Sequence, residues 1–437
     1  MLRVRRAGGA LYDGEAVLTP AESLIGLSRH LSMYALGPDR AALGNLEFAG
    51  HVLEISIRLR SSGVSRARRV HAITLDAGIP VRRLEGEILP VLESLGWAEC
   101  ARNEEGELEW VSEQVPPLSE LVNSADSLLR VARPTNVERA VLSVLDATTV
   151  MPLTRDAAIE AGTTEASEEE AERAIDYLDA LNLAEVRRSE DGHVVVYNPN
   201  IWSLDADLSA AALRAEDSSV RDAIGGLIEE VSATPGMPQD LVTSTTVEWI
   251  DYAVAKGLVH RSLVVTSEEN ERAFLFTPHM SRNAFQAPSG VDPSGHVRQL
   301  IGSMMYANKF AKWKLRTPGV FLSRLIAEGE AGDASSIGTD YPMLETAGIV
   351  RVEPAERFFK LVLLQSDVAE QALTFLQQAE GRAGSDAMGS GLRDQRKYVH
   401  PERQRAQVGR QAATKPGETE RLIAALREEA GRRRFGY

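Results

Sequence analysis

Two basic clusters mark where this 437-residue chain could do chemistry. The stretch "SRARRVHAITLDAGIPVRR" carries Arg66, Arg68, Arg69, Arg82 and Arg83, and "YANKFAKWKLR" carries Lys309, Lys312, Lys314 and Arg316 among Tyr306, Phe310 and Trp313. Cations gathered this way suit phosphate, because neutralising a nucleic-acid backbone releases its condensed counterions. Aromatic rings between them suit stacking on bases. Each cluster has a plainer alternative. Arginines also decorate ordinary surfaces, and Tyr306, Phe310 and Trp313 fall at i, i+4 and i+7, the spacing of a core stripe. A third cluster has the opposite sign. In "SEEEAERAIDYLDALN" (167–182), Glu169, Glu172, Asp176 and Asp179 lie opposite the apolar residues, a face for solvent or a basic protein partner. The C-terminal "GRRRFGY" adds Arg432, Arg433 and Arg434 as a candidate electrostatic anchor.

Catalytic patterns are missing. The chain has no G-x-x-x-x-G-K-[ST], H-E-x-x-H or G-x-S-x-G, and its histidines lack metal-ligand spacing. Cys100 is the single cysteine, which excludes an internal disulfide and a cysteine-rich zinc site; it reads as a small core residue beside Trp97. Asp205 and Asp207 read as a loop before a helix, and His279, Ser281 and Arg282 as a chance polar cluster. The expectation is a non-enzymatic protein with no catalytic residue, metal or cofactor.

The elements that would position these clusters recur. Four segments share an apolar-periodic helix, a Gly or Asn stop, a short apolar strand, a polar tip and a second strand. They are "ILPVLESLGWAECARNEEGELEWVS", "AIDYLDALNLAEVRRSEDGHVVVYN", "WIDYAVAKGLVHRSLVVTSEENERAFLFT" and "DYPMLETAGIVRVEPAERFFKLVLL". The stops, Gly96, Asn182, Gly257 and Gly348, are residues that tolerate the left-handed conformation closing a helix. The first and fourth segments share P-x-L-E-[ST]-x-G, with Pro90 and Pro342 six residues before the glycine, so the helix there is kinked or begins late. Before the second segment, "VERAVLSVLDATTV" and "TRDAAIEAG" supply two further helices, whereas "SATPGMPQDLVTSTT" before the third is a poor helix.

This order resembles the winged helix-turn-helix domain, the second copy being similar to the MarR-type form. The resemblance implies an α+β, mainly α fold: an elongated array of about four winged-helix units with short two-stranded wings. The expected divisions are an N-terminal helical extension (1–49), winged helices at 50–116, 117–203, 204–290 and 291–382, and a linker with a mobile basic tail and short helix (383–437). It also implies that the third helix of a unit enters the major groove.

Composition bounds the function. A net charge of −15 repels nucleic acid on average, so binding would rest on local patches. No run of about 20 apolar residues suggests a membrane span. The basic start "MLRVRRAGGALYDGEAV" lacks a long apolar stretch, so a cytoplasmic location is expected. The resulting expectation is a transcriptional regulator or an accessory subunit of a bacterial DNA-transacting complex, contacting duplex DNA through the first copy. The rival reading is an acidic protein-interaction scaffold like the winged-helix partners of condensin-type complexes. A third is a component of a multi-gene antiphage system. Oligomeric state is left open.

Overall fold

The computed structural model describes residues 20–188, 193–200, 218–278, 295–380, 394–411 and 421–424. Short antiparallel sheets alternate there with helices, an α+β architecture rich in helix. After α1 (Pro20–Leu31) and α2 (Pro38–Ala41) come α3 (Gly44–Leu59), β1 (Val64–Arg66), α4 (Ala67–Asp76), a third helix in pieces, β2 (Ala98–Arg102) and β3 (Leu108–Glu113). The last strand lies in the middle, giving the order β1-β3-β2. Connecting helices α7 (Leu118–Asn123) and α8 (Ala125–Ala132) lead to the same succession. It runs α9 (Asn136–Val150), β4 (Leu153–Thr154), α10 (Arg155–Gly162), α11 (Glu168–Ala180), β5 (Glu185–Arg188) and β6 (Val194–Tyr197), with order β4-β6-β5.

The third succession is α12 (Ser218–Ala233), β7 (Met237–Pro238), a 3-10 turn (Gln239–Leu241), α13 (Val247–Ala255), β8 (His260–Val265) and β9 (Glu271–Phe276). One 3-10 turn stands where a second helix would be. Its prolines and β-branched residues disfavour an α-helix, and Glu230 instead accepts hydrogen bonds from the Thr243 and Ser244 N–H groups (3.1 and 3.0 Å). The fourth is α15 (Pro318–Glu328), β10 (Glu330–Ala334), α16 (Ile337–Asp340), α17 (Pro342–Thr346), β11 (Val350–Pro354) and β12 (Phe359–Leu363), preceded by α14 (His296–Lys309) and followed by α18 (Ser366–Glu380).

Local sequence explains many of these boundaries. Ser167 and Thr135 each form a capping box with the glutamate three residues on, Glu170 and Glu138. All four stop residues have positive φ, between 51° at Asn182 and 75° at Gly257. The two prolines differ. Pro90 follows a π turn (Leu84–Ile88) that joins α5 (Val81–Arg83) to α6 (Leu89–Ser94), whereas Pro342 begins its helix.

The array is closed rather than strung out, contrary to the elongated expectation. The Arg58 guanidinium donates to the Thr346 carbonyl (3.1 Å), the Gln365 amide donates to the Ile57 carbonyl (3.0 Å), and Arg60 pairs with Asp367 (2.9 Å). The first and fourth successions are thus joined by polar groups some 300 positions apart, which leave no periodic trace in sequence. Residues 394–411 also differ from a mobile tail. Strand β13 (Lys397–Val399) extends the third sheet by pairing with β8, giving β13-β8-β9-β7, and α19 (Pro401–Gln411) packs against α1, α13 and β8. Two of its basic residues are internal: Arg403 donates to the Ala77 carbonyl (2.7 Å) and Arg405 to the Asn200 side chain (2.8 Å).

One apolar core runs from Ala21 to Val196 through the first two sheets; a second, around Leu344, joins Val264, Phe274 and Phe276 of the third sheet to the fourth, and a third gathers around Leu227. Among the described residues, no helix is long and apolar enough to cross a membrane.

Candidate nucleic-acid interface

The five arginines of the first segment divide by one helical step. Arg66 precedes α4 in extended conformation, Arg68 lies in its first turn, and Arg82 lies in the first turn of the next helix. All three are exposed and none forms an ion pair. Arg69 and Arg83 are half-buried. Burial lowers the Arg69 pKa; Glu345, in the fourth segment, pulls it back up and Arg351 lowers it further. Arg69 therefore faces α17 and β11, and is a poor phosphate contact. Arg83 lies 3.7 Å from Glu47 and 3.5 Å from Glu87, with its guanidinium 5.5 Å from the Phe48 ring centre. It is held by the body of the protein.

Strand pairing adds a residue that helix-based reasoning missed. Trp110 on β3 is the cross-strand partner of Arg66 and is partly exposed, so the outer face of this sheet pairs an indole with a free guanidinium. Alternation along β3 does not reveal it, because Leu108, two positions earlier, is buried and the strand pairing shifts register between the two. The hairpin beyond it is unfavourable to phosphate. Glu104, Glu105, Glu107 and Glu109 are exposed around the β2–β3 turn. That turn is closed by the Asn103 carboxamide, which accepts from the Glu105 and Glu107 N–H groups (3.0 and 2.8 Å).

The acidic face of α11 is exposed at all four positions, but three of its carboxylates have local partners. Glu169 pairs with Arg173 (2.9 Å), Asp176 with Arg155 (3.3 Å), and Asp179 accepts from the Val186 N–H (2.9 Å). Glu172 has no such contact. The charge available to a partner is smaller than the sequence count implies.

The segment 309–316 lies between α14 and α15, upstream of the fourth succession. Tyr306 and Phe310 are buried as a core stripe requires, but Trp313 is 66% exposed. The helix ends at Lys309, so the i+7 spacing no longer points inward. Lys312, Lys314 and Arg316 are exposed and Lys309 half-buried, with the Lys312 ammonium 5.7 Å from the Trp313 ring centre.

Cys100 is only partly buried. Burial, aided by the Glu93 carboxylate, pushes its thiol up to about 11, so it is protonated at neutral pH. A cavity of about 40 Å³ lies among Asn182, Glu185, Lys256 and Arg405, far below the roughly 300 Å³ that an organic ligand needs. The Lys256 ammonium there is 2.7 Å from Glu185. Asp205, Asp207, Ser281, Arg282, His279 and Arg432 to Arg434 lie outside the described residues. No protein-family model matches the chain, and no curated protein matches it significantly in sequence.

Proposed function

We propose that the protein is a non-enzymatic DNA-associated protein built of four winged-helix units, the first of which contacts phosphate. The order helix, strand, helix, helix, two strands, with the last strand central, supports the winged-helix reading in the first, second and fourth units; in the third a 3-10 turn replaces the second helix. The observation that carries the function is the set Arg66, Arg68 and Arg82. These exposed, unpaired guanidiniums stand at the starts of the second and third helices, where helix-turn-helix proteins meet DNA. A regulator or an accessory subunit of a DNA-transacting complex would use such a patch.

The test is a salt series on duplex DNA. Each phosphate contact removed lowers the slope of log K against log salt by about 0.9. The double variant Arg68→Ala, Arg82→Ala should lose about two units of slope. Arg69→Ala and Arg83→Ala should leave the slope unchanged. Absence of duplex binding at low salt would sink the reading.

One observation favours a second reading, an acidic protein-interaction scaffold. Among the described residues, seven cations (Arg29, Arg58, Arg60, Lys256, Arg298, Arg403, Arg405) are buried against four acids (Glu47, Glu54, Glu138, Asp340). The described surface is therefore more acidic than its sequence. A basic protein partner recovered from the native host, in place of DNA binding, would favour it.

A further inference from the structure

We infer that the connection between α14 and α15 is a stacking platform for single-stranded nucleic acid, with Trp313 as its base-contacting residue. This rests on the reading of the protein as nucleic-acid-associated and names a different strand class at a different site. Trp313 is a large apolar ring held 66% in solvent, while Tyr306 and Phe310, from the same stretch, are buried. Its exposure does not come from a slack loop. The Leu315 N–H donates to the Ala307 carbonyl (2.9 Å), and the Asn308 carboxamide donates to the Leu315 and Arg316 carbonyls (2.8 and 3.3 Å). Leu315 itself packs on the fourth core. The two ends of the segment are thereby fixed, and the indole stands out from a preset base.

Charge decides the occupant. Lys312, Lys314 and Arg316 are exposed within three residues of the ring, and Lys309 is half-exposed. No carboxylate occurs between Lys309 and Arg316. An apolar protein partner would have to desolvate Lys312 and Arg316 without compensation. A polyanion whose planar groups are accessible satisfies both features: phosphates meet the cations and a base stacks on the indole. In duplex DNA the base faces are already stacked on one another, so an unpaired strand is the ligand that fits.

The experiment uses the full chain with oligo(dT) and a blunt duplex of equal length, read by fluorescence anisotropy and by quenching of tryptophan emission. Trp313→Ala should weaken oligo(dT) binding about 5- to 100-fold, the range of one base–aromatic stack, with the thermal midpoint unchanged. Trp313→Phe should recover part of that loss, and duplex affinity should hold in both. Unchanged oligo(dT) affinity in Trp313→Ala would overturn the inference even if the arginine-dependent duplex binding stands. Loss of duplex binding in Arg68→Ala, Arg82→Ala with intact oligo(dT) binding separates the two sites. Oligo(dT) bound with no duplex binding at all would retain this inference and remove the duplex reading, and no binding to either ligand would overturn both.

Discussion

Arg82 and Arg83 are neighbours in sequence and opposites in role. Successive residues on a helix are rotated by roughly 100°, enough for one of an adjacent pair to face out while the other meets the body of the protein. The same step separates Arg68 from Arg69. Composition could show that the segment is basic, but which guanidiniums reach solvent depends on Glu47, Phe48 and Glu345, which sequence does not place beside them. Arg83 also acts on the interior electrostatically. Burial, with help from Arg83, Arg40 and Arg403 and against Glu54, lowers the pKa of His51 to about 3. His400 is lowered well below its ordinary value for the same first reason, with Arg29, Arg58 and Arg403 nearby. An unfolded histidine takes up a proton near pH 6.5, while the folded His51 does not until about pH 3. The unfolded state therefore binds more protons in that window. His51 contributes its full stability above pH 6.5 and loses it as pH falls towards 3. Urea denaturation should show flat stability near neutrality and a loss of about 2 kcal/mol at pH 5 from His51, with a further loss in the same direction from His400. His51→Gln should flatten part of that slope; a slope unchanged by the substitution would refute the assignment.

At the level of elements, the shared P-x-L-E-[ST]-x-G acquires a physical meaning. The carboxylate three residues before the stop reaches across the turn to the strand that follows. Glu93 accepts from the Cys100 N–H (3.2 Å), Glu345 from Val352 (3.1 Å) and Asp179 from Val186 (2.9 Å). The second unit lacks the motif's letters yet keeps the device, so Asp179 clamps its own strand as well as adding to the acidic face. The stops and this glutamate were legible in the sequence, because both act over a few residues. A longer-range cap was not. Glu138, 1% exposed, closes its own capping box and also accepts from the Asn45 and Leu46 N–H groups (2.8 and 3.2 Å) at the start of α3. One carboxylate thus serves two helix starts that are over 90 residues apart, where its charge also meets both helix dipoles. Glu138→Ala should leave several buried donors unpaired and cost about 3 kcal/mol. Glu138→Asp, which keeps the charge on a shorter arm, should lose less. The comparison is made by the denaturation midpoint of the full chain, and a loss below about 1 kcal/mol for Glu138→Ala would show that water replaces the carboxylate.

Across the whole molecule, the periodic patterns that revealed four similar successions said nothing about how they meet. Hydrophobic period reports which face of a helix is apolar, and the stop residues report where it ends; neither reports which neighbour the stop touches. The closed arrangement can nevertheless be tested with two residues that look alike in sequence. Gly96 and Gly348 end the matching helices of the first and fourth units, with φ of 70° and 73°. Replacing either by alanine forces an L residue into the left-handed region at about 1–2 kcal/mol. Their surroundings differ. Nothing lies within 4 Å of a Cβ on Gly96, whereas a Cβ on Gly348 would come within 1.9 Å of the Arg58 carbonyl oxygen. That oxygen is backbone at the end of α3, whose neighbours Ile57 and Arg60 are themselves bonded to Gln365. It cannot swing aside as a side chain would. Gly348→Ala should therefore cost about 1–3 kcal/mol beyond Gly96→Ala, the usual cost of forcing extra volume into a packed contact. It should also loosen the first unit from the fourth, raising amide exchange at the end of α3 while the first sheet stays protected. Equal losses for the two variants would mean that the first and fourth units do not touch through this turn, and the array would be open.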